Sequence, residues 1–397
     1  MLKLGVYRSF DQLQMFCEPW DRLALSAGSE IFLTYDWCRI WWKYYGKNRE
    51  LIVLIFQNEN DLVGIIPLFY ETIWLGPMPV KAVRLVGSDH TLSHFSLLLL
   101  SDYIKEVVKG LSDFLRKEKW DILHLGPIAG LYEHHDEFRE ALKQSFYGSC
   151  SVLKEDGGVQ TYYKLARTWE EQFAGLKKQE RKRIRRSYKK IDSEGLTLTS
   201  ELASIGNLNE KFREFVHTHQ RFWQHLGKAG HFGDWPDSYE FHREGARAQL
   251  KHNRLRLIEI RLSDNCYAYK YGYRFGKRHF EVLPGRSQSK SLSHINLGRI
   301  TFAEEAKNAI QDGVQYIDSM RGRYEYKLRL GGELFRISNI YVVPKRISVE
   351  VRVRAFRALA RLLNLCYYRI WRLKIAPRLP LKPRPLWRIW IRTNTFS

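Results

Sequence analysis

Cysteine is scarce in this chain. Its five thiols, Cys17, Cys38, Cys150, Cys266 and Cys366, are odd in number and widely scattered, and no two stand at zinc or redox spacing. A disulfide framework is therefore excluded, and reduced, mostly buried thiols are expected. No apolar run approaches the length of a membrane-spanning helix. Met1 to Trp20 carries Asp11 and Glu18 and has no continuous apolar block, so a secretory signal is not expected and a cytoplasmic location is the default. A metal constellation is also missing: His134-His135 is an adjacent, surface-like pair, and His217, His219 and His225 have no carboxylate at ligand spacing. No Ser-His-Asp set can be assigned from spacing alone, and paired glycosidase carboxylates are not indicated.

Acids are outnumbered, 43 Asp and Glu against 65 Lys and Arg, for a formal charge of +22. The excess sits in two segments. Lys345 to Ser397 holds fourteen basic residues against the single acid Glu350, and Lys177 to Lys190 holds nine against Glu180. Anionic partners belong at those segments rather than over the whole surface. The remainder is ordinary for a soluble protein. With 44% apolar and 14% aromatic residues among 397, packed cores are expected, and two domains are the natural division.

Hydrophobic patterning predicts helices at Asp36–Tyr45 and from Asp102 to about Lys117. Strands are expected at Leu51–Phe56, Leu62–Tyr70, Lys81–Val86, Phe95–Leu100 and Trp120–Leu125. Thr168-Trp169-Glu170-Glu171 reads as a capping box opening a helix that carries the basic segment. Further helices are expected at Phe212–Leu226, Tyr239–His252 and from about Ile295 to Gln311. Further strands are expected at Leu255–Leu262, Cys266–Phe275, Arg278–Leu283 and Val314–Ser319. Strand hairpin, helix, strand thus occurs twice, which predicts an α/β (α+β) chain with structurally duplicated halves at 1–157 and 158–344. Residues 345–397 form a basic tail with an amphipathic helix over Val351–Lys374, followed by a Pro- and Trp-rich stretch. Arginine, lysine and tryptophan on an amphipathic segment suit an anionic membrane surface.

Four clusters in the second half point to chemistry. Asp318-Ser319-Met320-Arg321-Gly322 with Tyr326-Lys327 sets an acid, an Arg-Gly turn and a Tyr-Lys pair at a strand end. His219, Trp223, Gly230 and Phe232 share one helix face and the turn after it. Leu283-Pro284-Gly285-Arg286 closes another strand. Ser293-His294-Ile295-Asn296-Leu297-Gly298-Arg299 opens a helix whose free N–H groups suit an anion.

Together and in this order these motifs resemble the Acetyltransf_6 family of the GNAT superfamily, the CelD/BcsL-like group related to the FemAB peptidyltransferases. The resemblance extends to Phe32-Leu33-Thr34-Tyr35-Asp36-Trp37 with Trp41-Trp42, to Gly64-Ile65-Ile66-Pro67-Leu68, to Leu85-Val86-Gly87 and to the basic helix Arg181–Lys190. It covers roughly residues 30 to 335. It implies tandem GNAT-like domains, each a mixed, largely antiparallel sheet flanked by helices, with acyl transfer in the second. Acetyl-CoA or a longer acyl-CoA is the implied donor. The implied acceptor is an amine on an amino sugar or on an envelope or polysaccharide precursor.

The site implied by the resemblance has three parts. Ser293, His294, Asn296, Gly298 and Arg299 would hold the diphosphate of CoA. Glu281 and Asp318 are the candidate bases, and Tyr326 and Lys327 would serve the oxyanion and a proton. His219, Trp223, Phe232, Arg286 and Arg321 would contact substrate. Many relatives carry Ser-Pro-Gly where this chain has Ser293-His294-Ile295. An aminoacyl-tRNA donor, met by the basic helix, is the second reading, and it is the one in which a nucleic acid is a partner. The third is a non-catalytic scaffold held at an anionic surface by the tail.

Overall fold

In the computed structural model, residues 2–91, 93–287, 295–376 and 385–397 are described, and the chain forms two units. One comprises Met1–Gly158 together with Arg336–Ser397, the other Val159–Phe335. Ser293 and His294, expected at the diphosphate, lie outside the described residues.

The first unit begins with β1 (Lys3–Tyr7), α1 (Cys17–Ser26) and α2 (Tyr35–Tyr45), followed by β2 (Glu50–Asn58), β3 (Asp61–Ile73) and β4 (Val80–Leu85). α3 (Ile104–Leu115), β5 (Ile122–Ile128) and α4 (His135–Ser145) come next. The β2–β3 hairpin turns at the expected Asn58–Asp61, with Val53 opposite Pro67. Both strands are buried on both faces, which is why they read as apolar runs without alternation. β4 runs parallel to β5 over only three pairs, from Ala82↔Ile122 to Arg84↔His124.

The expected strand Phe95–Leu100 is replaced by a buried irregular segment. Its backbone bonds β3 at one end, Ile65 N to Leu98 O at 2.7 Å, and the end of β5 at the other, Ala129 N to Phe95 O at 2.6 Å. The segment takes the place β4 leaves when it stops at Leu85, so each strand end finds a partner without a further ladder.

The chain passes into the second unit within β6 (Cys150–Lys164). The capping box forms, with Thr168 Oγ1 accepting from Glu171 N at 3.2 Å, but the helix it opens, α5 (Trp169–Gly175), is short. The basic segment occupies a separate helix, α6 (Lys178–Ser193). Leu176 breaks the two apart by adopting an extended conformation and burying its side chain, and Arg181 Nη1 caps the first helix on Leu176 O at 2.8 Å. Then follow β7 (Leu198–Leu202), α7 (Leu208–His225), α8 (His231–Asp234), α9 (Ser238–Lys251), β8 (Leu255–Leu262), β9 (Asn265–Phe275) and β10 (Arg278–Arg286). α10 (Leu297–Gln311), β11 (Tyr316–Arg321) and α11 (Glu325–Arg329) complete the unit. Its strand order, β6-β11-β10-β9-β8-β7, is antiparallel except for the β10–β11 pair, and with the last strand, β12 (Glu333–Pro344), the first unit repeats that logic as β12-β5-β4-β3-β2-β1.

β12 (Glu333–Pro344) returns to the first unit and pairs with β5. α12 (Ile347–Leu363) and a wider π-wound continuation, Asn364–Ile375, lead to α13 (Pro385–Thr393). The segment read as a separate tail from 345 therefore belongs to the first unit. Val349, Val353, Phe356, Ala360 and Phe396 share a core with Ile73, Val80, Ile122 and Tyr341. Arg392 Nε reaches the buried Glu71 carboxylate at 3.0 Å, alongside Arg84 at 2.8 Å. Among the described residues no helix is long and apolar enough to cross a membrane.

Candidate active site

The second unit opens where β10 and β11 part. Their parallel ladder ends at Phe280↔Asp318, while β10 stays paired to β9 as far as Arg286↔Ala268. A register shift between Glu281 and Leu283 turns β10 at this fork. Gly272 lies opposite Glu281, and a Cβ there would collide with the Phe280 carbonyl oxygen, so the close approach requires glycine. In the fork lies a cavity of about 40 Å³, room for a few waters or one small reacting group. Lys270, Glu281, Arg286, Gly298, Thr301 and Tyr326 are among its lining residues.

A buried chain of charge starts at that cavity. The Lys270 ammonium pairs with Glu281 and, at 2.9 Å, with Glu305 of α10. Ser319 Oγ donates to the other Glu281 oxygen at 2.7 Å, and Lys327 Nζ donates to the Ser319 carbonyl. His279 Nε2 lies 3.6 Å from Glu305 Oε1. Burial alone would raise the Glu281 carboxyl, but Lys270 overrides it and holds Glu281 well below the usual range. Burial, reinforced by the Glu281 charge, pushes Glu305 up to about 7. Burial also lowers the Lys327 ammonium, lowers His279 to about 4 and raises the Tyr326 hydroxyl to about 12. Two carboxyls on one lysine are thus driven apart, one fixed as an anion and one able to take up a proton near neutrality.

The remaining expected residues divide between this cavity and its supports. Asp318 is buried away from it, and its Oδ1 accepts the Met320 N–H at 2.9 Å. That bond holds Met320 at a φ of 59°, a left-handed turn that few non-glycine residues adopt. Arg321 is half-buried, and desolvation lowers its guanidinium to about 10. Arg299 is committed to Glu180 of α6 at 2.6 Å, so Arg286 rather than Arg299 stands by the first turn of α10. Asn296 is exposed at that helix start, and its N–H meets Ser187 Oγ at 3.4 Å.

His219 is buried and serves as a strut. Its Nε2 accepts the His231 N–H at 3.3 Å, so Nδ1 carries the proton and donates to Pro284 O at 2.7 Å. Burial lowers its pKa to about 4, which keeps it neutral. Phe232 packs edge-on to His219 with ring centres 5.4 Å apart, and Trp223 lies 6.1 Å from it under Lys228. Of the three expected substrate contacts on this face, His219 holds the β10 wall at Pro284, and Phe232 and Trp223 pack against that histidine.

Sequence reasoning gave no role to Lys270, Glu305, Ser319 or His279. The signal for Lys270 is a lone charge in the Tyr269-Lys270-Tyr271 strand. For Glu305 it is an acid among the apolar positions of α10. Their convergence is a property of the sheet and not of any spacing.

Residues 178–328 match the Acetyltransf_6 family model, an acetyltransferase (GNAT) domain. A search of curated proteins finds no match. Among solved structures, FemX aligns with a TM-score of 0.60 at 9% identity, covering 85% of this chain and 96% of that one. A conserved protein of unknown function from Bacteroides thetaiotaomicron aligns with a TM-score of 0.50 at 11% identity, covering 86% of this chain and 100% of that one. The fork just described lies within the residues that match this acetyltransferase (GNAT) model.

Proposed function

We propose that this chain, whose second unit carries the GNAT domain, is an N-acyltransferase moving an acyl group from acyl-CoA to an amine. The acceptor would be an amino sugar or another amine-bearing envelope or polysaccharide precursor. The observation that carries the reading is the open β10–β11 fork, lined by Glu281 and Lys270 and reached by the first turn of α10. In the first unit the Phe95–Leu100 segment occupies the place that β4 leaves beside β5, which favours chemistry in the second unit alone.

Each residue has a derivable part. The start of α10 and Arg286 offer N–H groups and positive charge to the donor's phosphates. Among the described residues β11 does not pair with β10 beyond Phe280, so that edge, apart from the Pro284 carbonyl held by His219, can face the donor. The amine attacks the acyl carbon and the thiolate leaves, while the ammonium proton passes to the carboxylates bridged by Lys270. The Tyr326 hydroxyl, still protonated at neutral pH, can donate to the oxyanion or the departing sulfur. Asp318 holds the turn, and Lys327 supports the carbonyl beside Glu281.

Titration calorimetry with acetyl-CoA and longer acyl-CoAs tests this. Saturable binding that Arg286→Glu weakens is expected, and absence of binding by every acyl-CoA would overturn it. A second reading is favoured by one observation. α6 turns Lys178, Lys182, Arg185, Arg186 and Lys189 outward, a face that suits aminoacyl-tRNA as donor. Tight, salt-sensitive binding of charged tRNA in place of acyl-CoA would select it. Under either donor, the surface partner is an anionic membrane reached through residues 345–397, with the enzyme peripheral to it on the cytoplasmic side.

A further inference from the structure

The first unit turns an aliphatic face outward along its last helices. Val351, Leu362, Leu365, Ile370, Leu373 and Ile375 are 39% to 54% exposed. Val351 lies near the start of α12, and the other five fall between its last turn and the end of the π-wound continuation. The opposite side, Val349, Val353, Phe356 and Ala360, is buried in the unit's core. About half of each of these side chains is left outside the core, and that exposure is costly in water unless something covers it. Arg354, Arg361, Arg369 and Lys374 are exposed beside it. Trp387 and Trp390, expected as interfacial anchors, are instead buried. They stack on each other at 4.8 Å, Trp390 stacks on Tyr368 at 4.1 Å, and Arg372 covers Trp387 at 3.5 Å. That stack braces the arm from within.

Charge selects the occupant. Residues 345–397 hold fourteen Lys and Arg against Glu350. A second copy seated on this face would bring like charge against like. A nucleic acid would meet the arginines but leave the aliphatic stripe in water. An anionic lipid surface satisfies both halves: phosphates for the arginines and an acyl boundary for the leucines. We propose that this helical arm lies in the plane of an anionic bilayer, with Leu362, Leu365, Ile370 and Leu373 inserted and the flanking arginines on lipid phosphates. This gives residues to the surface partner named above. It stands apart from the acyl-transfer reading, because binding is measured without donor or acceptor.

The test uses the full chain and phosphatidylcholine vesicles with and without phosphatidylglycerol. The protein is expected to sediment with the anionic vesicles and not with the neutral ones. Leu362→Ser/Leu365→Ser/Leu373→Ser should lower partitioning about tenfold or more at an unchanged melting temperature. Arg354→Gln/Arg361→Gln/Arg369→Gln should lower it as well and flatten its dependence on salt. A polarity-sensitive dye on the exposed Cys366 of the otherwise unaltered chain provides a readout free of folding effects. Its emission should shift to the blue on anionic vesicles. The proposal fails if the dye does not shift, or if the leucine variant partitions as the parent does. It also fails if the parent is an oligomer that the leucine variant converts to a monomer, because the face is then covered by a second copy.

Discussion

The Ser319 hydroxyl donates to Glu281 at 2.7 Å at the point where β10 and β11 cease to pair. One bond thus closes the base of the fork and fixes the rotamer of the carboxylate that lines it. Glu281 points into the cavity because Lys270 and Ser319 hold its two oxygens, and α10 delivers Glu305 to the far side of the same lysine.

Glu281→Gln keeps the shape of the side chain and removes its charge. Under the acyl-transfer reading, kcat should fall roughly 10²–10⁴-fold with a smaller change in KM, because the cavity then lacks the anion that draws the ammonium proton toward Lys270 and Glu305. Steady-state kinetics with the donor found by titration, alongside circular dichroism to confirm folding, checks this. Unchanged kcat would remove Glu281 from the chemistry.

Lys270→Met should be among the most destabilising single changes in the second unit. It leaves two buried carboxyls facing each other without their shared cation, a loss of about 3–5 kcal/mol on the pattern of broken buried pairs. Urea unfolding measures it. A double variant, Lys270→Met with Glu305→Gln, should recover part of the loss, because one of the stranded acids is then neutral.

Glu305 sets a stability slope with pH. Its carboxyl is raised from 4.5 to about 7 in the fold, so between those values the native chain keeps a proton that the unfolded chain has released. Its contribution is therefore greatest at low pH and is lost as pH rises through 7. Glu305→Gln should remove that slope, gaining stability over the parent as pH moves from 5 to 8. Melting temperatures of the two proteins across that range test the sign, and parallel curves would contradict it.

The histidine strut titrates the other way. His219 is lowered from 6.5 to about 4, and His242 of α9, whose Nε2 lies 3.1 Å from His231 Nε2, to about 3, so acidification favours the unfolded chain, which takes up protons sooner. Stability from these groups is present above 6.5 and declines as pH falls toward 4. His219→Ala should cost about 2–3 kcal/mol by stranding Pro284 O and the His231 N–H. It should also raise KM for the group bound along β10. A destabilised enzyme with unaltered KM would make His219 structural only.

In the first unit, Glu71 accepts from Arg84 and Arg392 and lies 3.0 Å from Arg49, all close to fully buried except Arg392. Glu71→Ala should destabilise by about 3 kcal/mol, because Asp89 is then left to balance both the buried Arg49 and Arg84 guanidiniums. Hydrogen exchange of residues 385–397 should accelerate with it, because the carboxylate ties α13 to β3.

What the sequence determined on its own is local and periodic. Apolar runs and turn residues specified the β2–β3 and β8–β9 hairpins, the α7 and α9 helices and the twofold order of elements, because these depend on residues near one another in the chain. The motif order likewise pointed to the acetyltransferase model that residues 178–328 match. The tertiary structure alone decided which charges meet. Glu281, Lys270, Ser319 and Glu305 come from four elements, and only the parting of β10 from β11 beneath α10 brings them together. It also moved Asp318 and Arg299 into supporting pairs and folded the basic C-terminal segment onto the first unit. Burial and pairing of a charge depend on which elements pack across the sheet, and no spacing along the chain carries that.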